Sequence, residues 1–135
     1  MQENAQQEQE KTEEPTITFD DLGLNNDILR AVKFAGFTIP SPIQAAAIPV
    51  VLAGRDMVGQ AHTGTGKTAA FGLPSLNNIN PKDGVGILVI TPTRELATQV
   101  SDELYKYGRN MGARTVTVYG GSSYSRQIKH VEQAS

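Results

Sequence analysis

The sequence predicts an α/β fold, a parallel sheet with helices on its faces, and three observations carry that prediction. Short apolar segments at 56–60, 86–90 and 114–119 alternate with longer stretches of helical periodicity, the order expected when each strand is followed by a crossover helix. The run Ile87-Leu88-Val89-Ile90 is continuously apolar rather than alternating, as a parallel strand covered on both faces requires. A glycine-rich loop, Ala61 to Thr68, lies between the first apolar segment and the helical stretch after it.

Met1 to Thr16 carries five glutamates, one lysine, four glutamines and no large apolar residue after Met1, too little to bury, so this tail is expected to be disordered. It also explains the acidity, because the whole chain is −2 whereas residues 17–135 hold eleven bases and nine acids. Leu24, Ile28, Leu29, Ala31, Val32 and Ala35 recur at helical spacing, which predicts an amphipathic helix with Asn25 to Asp27 in its first turn and Gly36 at its end. Ser41 followed by Pro42 predicts the N-cap and first residue of a largely buried apolar helix, kinked at Pro49 and closed by Gly54. A third helix starts near Lys67, a polar connection with Lys82 and Asp83 spans 77–84, a long helix covers 97–110, and a last one covers 124–134. The crossovers are expected to be right-handed. Ser135 arrives with neither cap nor closing strand, so a truncated fold, the start of a longer protein, is expected.

At 135 residues the chain is one domain long, domains being roughly 100 to 200 residues. It has no cysteine, which excludes a disulfide framework and any thiolate zinc site and leaves oxygen ligands for a metal. No apolar run approaches the roughly 20 residues of a membrane-spanning helix, and the first residues lack a basic and apolar leader. A cytoplasmic protein without membrane contact is expected. The near-neutral charge leaves a nucleic-acid partner open.

Ala61-His62-Thr63-Gly64-Thr65-Gly66-Lys67-Thr68 has the strand-loop-helix setting of a Walker A loop. Gly64 and Gly66 would let backbone amides turn toward phosphate, the helix start would add its positive dipole end, and Lys67 a mobile cation. The Thr68 hydroxyl suits magnesium. Ala61 stands where the generic motif has its first glycine, and His62 is expected only to line the loop. The plain alternative is a glycine-rich turn that caps a helix.

Ala61 with Thr63-Gly64 and Gly66-Lys67-Thr68 resembles motif I of the DEAD-box RNA helicases. Gly36-Phe37-Thr38-Ile39-Pro40-Ser41-Pro42-Ile43-Gln44 is similar to that family's Q motif, with Phe19 seventeen positions upstream where the family keeps an aromatic. Pro92-Thr93-Arg94-Glu95-Leu96-Ala97 matches its motif Ia, and Gly120-Gly121 resembles its glycine doublet. The resemblance implies a RecA-like core, with ATP and magnesium on its P-loop and a second RecA-like domain of the same parent closing over ATP and RNA. It implies that Lys67 and Thr68 serve catalysis, that Gln44 reads adenine with Phe19 stacked on the base and Phe37 beside it, and that Pro92, Thr93, Arg94, Gly120 and Gly121 meet the backbone of single-stranded or partly duplex RNA.

Each of these residues also has a plainer reading. Ser41 to Gln44 is a capping box in which the glutamine returns to the cap amide. Phe19 suits a core, Thr91 to Thr93 an ordinary helix start, and the glycine pair a tight turn. Asp102-Glu103 lies in a helical stretch and reads as a solvated face, not as the carboxylates that hydrolysis requires. The family's Asp-Glu-Ala-Asp and Ser-Ala-Thr motifs are absent, so these 135 residues are expected to bind nucleotide at best. An RNA-stimulated ATP hydrolase that separates RNA strands is the expected parent. The rivals are a non-hydrolysing ATP-binding scaffold and a P-loop enzyme acting on DNA or a small phosphoryl acceptor.

Overall fold

The computed structural model describes residues 15–62, 64, 66–121 and 123–133. Of the expected tail only Pro15 and Thr16 fall within them, both exposed.

Five helices carry the described architecture: α1 Asn26–Phe34, α2 Pro42–Leu52, α3 Lys67–Asn78, α4 Arg94–Gly108 and α5 Tyr124–Gln133. A 3-10 turn at Phe19–Leu22 precedes α1, and others occupy Pro81–Asp83 and Arg109–Met111. None is both long and apolar enough to cross a membrane.

The caps follow from the sequence. Asn25 accepts the Ile28 N–H at 3.0 Å and starts α1; Ser41 does the same for α2 with the Gln44 N–H at 3.4 Å. Pro49 has no N–H to give, yet α2 runs on to Leu52 before Gly54, at φ 75°, lets the chain turn. α2 is buried only at Gln44, Ala47 and Ile48. The expectation of a largely buried α2 is corrected accordingly, because its neighbours among the described residues, α3 and the 3-10 turn Phe19–Leu22, cover only part of its surface.

α3 is the centre of the packing, with α2 on one side and α4 on the other. Ile28 and Val32 of α1, Ile48 of α2, Leu73 and Leu76 of α3, and Val100 and Leu104 of α4 form one core with Phe19 and Leu22. Each fully buried Ile or Leu contributes about 1.5–3 kcal/mol. Gly72 sets how close α3 and α4 come, since a Cβ there would lie 2.6 Å from Leu104 Cδ2.

The last turn of α3 ties down two other elements. Asn77 Oδ1 accepts the Asn25 N–H at 2.7 Å, and Asn78 Nδ2 donates to the carbonyls of Val51 and Leu52 at 3.1 and 3.5 Å. The start of α1 and the end of α2 are thus fastened to one point.

The segments 56–60, 86–90 and 114–119 form no strands among the described residues, and no backbone hydrogen bond joins one to another. A strand exists only through its ladder, so the parallel sheet is not part of the observed architecture. Side-chain alternation is nevertheless present. Ile87 and Val89 pack against the helical core, whereas Leu88 and Ile90 are 83% and 86% exposed, the two-residue period of extended chain. Cover on both faces was expected for this run, and only one face has it.

Candidate functional site

Gly64 and Gly66 sit at φ 83° and 80°, backbone that L-residues rarely adopt and that glycine enters without steric cost. Gly66 is the N-cap of α3, so its left-handed turn aims the helix N-terminus, with its unpaired first-turn amides and positive dipole end, at the loop. Lys67 is exposed and Thr68 half-buried in that first turn. Ala61 is half-buried and His62 exposed, while Thr63 and Thr65 lie outside the described residues.

Gln44 joins this loop to α2. Its amide is buried, 4% exposed. Oε1 accepts the Ser41 N–H at 2.9 Å and Nε2 donates to the Gly66 carbonyl at 3.2 Å. That carbonyl also accepts the Ala70 N–H at 3.1 Å. A side chain on Gly66 would overlap Nε2 and come within 3.1 Å of Gln44 Cδ. Motif I glycine and Q-motif glutamine therefore fit each other. The capping box is present and does not exhaust the amide, which keeps a second lone pair and a second N–H.

The aromatic residues of the same region form a row. Phe19, 3% exposed, stacks on Phe37 at 6.2 Å between ring centroids, and Phe37 meets Tyr107 of α4 at 6.3 Å. Phe19 lies in the core, as its plainer reading expects, and Phe37, 36% exposed, is the ring of that pair open to solvent. The Tyr107 hydroxyl donates to Glu103 Oε2 at 3.1 Å, and burial first, then the Glu103 carboxylate, pushes its pKa well above the usual phenol value. Asp102 is exposed but Glu103 is half-buried, so the expected solvated face is corrected for Glu103, which is the acceptor for Tyr107.

A second cluster forms away from the loop. α4 begins at Arg94, three residues before the expected start, with Thr93 as N-cap accepting the Leu96 N–H at 3.2 Å. Pro92, Thr93 and Arg94 are exposed. Arg94 reaches the exposed Gly120-Gly121 turn, where Nη2 donates to the Gly120 carbonyl at 2.8 Å. Its guanidinium lies over Tyr119, 4.6 Å from the ring centroid. Sequence reasoning missed Tyr119 and Gln127, which closes on the Tyr119 N–H at 2.8 Å. The available signal was the aromatic directly before the glycine pair.

Among the described residues no group of three or more His, Asp or Glu side chains could hold a metal ion. Among the described residues of the P-loop the Thr68 hydroxyl is the side-chain oxygen, which fits a magnesium ion whose other ligands are phosphate and water.

The loop, the helix aimed at it and the glutamine behind it have the arrangement of a P-loop. Residues 41–135 match the DEAD/DEAH box helicase family, and the chain belongs to it. The chain is 54% identical over 116 residues to the DEAD-box ATP-dependent RNA helicase RhpA of Helicobacter pylori, a match covering 86% of this chain and 24% of that protein. It is 51% identical over 119 residues to the DEAD-box ATP-dependent RNA helicase CshA of Bacillus licheniformis, covering 87% and 24%. The chain thus spans about a quarter of the length of these curated relatives. The crystal structure of a DEAD box protein from Methanococcus jannaschii superposes with TM-score 0.76 at 38% identity, over 84% of this chain and 32% of that one. The RNA helicase Prp28 from Chaetomium thermophilum bound to ADP gives 0.73 at 41% identity, over 84% and 29%. Over the part they share, the chain is similar in fold to these DEAD-box helicase structures.

Proposed function

We propose that this chain is the nucleotide-binding part of an ATP-dependent RNA helicase, in which RNA-stimulated hydrolysis of ATP drives local separation of RNA strands. The observation that carries the reading is the Gln44 to Gly66 hydrogen bond, because it connects a side chain able to read a base to the loop suited to phosphate. The remaining Nε2–H and Oε1 lone pair of Gln44 match the acceptor and donor on the adenine edge. Phe37 offers the accessible ring of the Phe19 pair to the base. Ala61 to Lys67 would cradle the phosphates, with Lys67 bringing positive charge to the transferred group. Thr68 would ligate magnesium, which when bound neutralises developing phosphate charge.

Asp102 and Glu103 lie on α4 and serve no hydrolytic role, so the carboxylates that position water belong to residues outside these 135. The extended segment 86–90, apolar on both sides, is read as a strand of a parallel RecA-like sheet, and a second RecA-like domain of the same parent closes the site. RNA meets Pro92 to Arg94 and Gly120-Gly121 through its backbone, which makes binding independent of sequence and sensitive to salt. The protein is read as cytoplasmic.

The test is ATP hydrolysis by the full-length protein with and without single-stranded RNA, beside Lys67→Ala. RNA-stimulated turnover that disappears in Lys67→Ala is expected. A folded wild type that binds ATP but hydrolyses none with any RNA would refute the enzyme and leave a nucleotide-binding scaffold.

A further inference from the structure

We propose that Tyr119 and Gln127 are positioning residues of the RNA-backbone site, holding Arg94 and the Gly120-Gly121 turn together so that the start of α4 and the turn form one surface. This rests on the helicase reading above. The turn is held on three sides. Arg94 Nη2 takes the Gly120 carbonyl at 2.8 Å; the guanidinium covers the Tyr119 ring at 4.6 Å; and Gln127 Oε1 takes the Tyr119 N–H at 2.8 Å from the first turns of α5. Gln127 Nε2 in turn donates to the Ser123 carbonyl at 3.4 Å, which fixes the amide's direction. A Cβ on Gly121, at φ 80°, would lie 3.2 Å from Arg94 Nη2, so the second glycine keeps the path of the arginine clear.

Two adjacent glycines form a turn with large conformational freedom, and a ligand that must order it loses affinity. Gln127 removes that freedom by its hold on the Tyr119 amide. Tyr119 removes the corresponding freedom of Arg94, whose guanidinium has five N–H donors and donates only one of them to Gly120 in this contact. The others are left oriented by the ring plane for a phosphate oxygen. Neither Tyr119 nor Gln127 needs to touch RNA to do this.

In the full-length protein, Gln127→Met is expected to raise the Kd for a labelled single-stranded oligouridylate, measured with a non-hydrolysable ATP analogue, about 3- to 10-fold, the size of one lost hydrogen bond. Tyr119→Leu is expected to act in the same direction and Tyr119→Phe to behave as wild type. The Kd for the analogue without RNA and the unfolding temperature stay unchanged. Because the pin works through Arg94, adding Gln127→Met to Arg94→Ala costs less than the two single losses combined. Wild-type RNA affinity in Gln127→Met, full additivity with Arg94→Ala, or a parallel loss of nucleotide affinity overturns the assignment. If the wild type itself binds no RNA, the helicase reading falls and this inference with it.

Discussion

Gln44 can be perturbed in two ways that separate its hydrogen bonds. Gln44→Met keeps the length of the side chain and removes both the acceptor for the Ser41 N–H and the donor to the Gly66 carbonyl. At about 0.5–1.5 kcal/mol for each bond the two sum to about 1–3 kcal/mol. The lower half applies, because the Gly66 carbonyl keeps the Ala70 N–H and water can reach the half-buried Ser41. A domain of 150–250 residues loses about 2–4 °C per kcal/mol, so the midpoint should fall by about 2–8 °C. Gln44→Glu keeps the acceptor but sets a carboxylate oxygen against the Gly66 carbonyl in a site that is 4% exposed. Burial and the missing proton raise that carboxyl's folded-state pKa above its unfolded value of about 4.3. The folded state then binds more protons than the unfolded one, so stability relative to wild type is greatest below the unfolded value and is lost as pH rises through the folded one. Scanning calorimetry of the nucleotide-free protein and both variants, each near pH 5 and near pH 8, measures the effect. A neutral Gln44→Met, or a Gln44→Glu deficit that does not change with pH, would refute the reasoning.

Gly66→Ala adds the cost of a left-handed alanine, about 1–2 kcal/mol, to an overlap with Gln44, and should lower nucleotide affinity at least about tenfold by titration calorimetry. Gly66→Ala with Gln44→Ala should recover part of that loss because the overlap is gone. Gly72→Ala should lower thermal stability by about 1–3 kcal/mol through overpacking against Leu104, without changing the KM for ATP beyond what unfolding explains. Tyr107 has its pKa raised in the folded state, so its contribution is complete below the usual phenol value of about 10 and is lost only as pH rises beyond it. Alkaline unfolding curves of Tyr107→Phe should therefore be flatter than those of wild type.

The helices were legible because their punctuation is local: Asn25, Ser41-Pro42, Gly54 and the glycines of the P-loop all act within a turn of where they stand. Periodicity alone set the start of α4 at 97, while Thr91 to Thr93 reads as a helix start, and it is Thr93 that caps α4 at Arg94. The loop and Gln44 were readable as motifs, and their contact across 22 residues was not, since it depends on how α2 and α3 pack. Phe19 shows the reverse. Its offset from Gly36 pointed to a ligand, while its apolar ring and the neighbouring Phe37 and Tyr107 bury it. Continuous apolar sequence at 86–90 announced cover on both faces, but cover is supplied by other segments, and among the described residues the core covers the face of Ile87 and Val89 and leaves Leu88 and Ile90 exposed. Tyr119 and Gln127 carry no motif of their own and emerge only from three-dimensional placement.

The two asparagines at the end of α3 have a mechanical consequence. Twelve residues make α3 a rod of about 18 Å, held at the phosphate end through Gln44 and anchored at the other by Asn77 and Asn78. A rod anchored at one end turns about that end when the other is pushed. A displacement of about 1 Å at Lys67 turns it by about 3°, and at the Gly72 crossing, roughly midway along its length, about half of that travel remains. There it presses on Leu104, so a push delivered to the loop arrives as a smaller sideways thrust on α4, the helix whose other end holds Arg94.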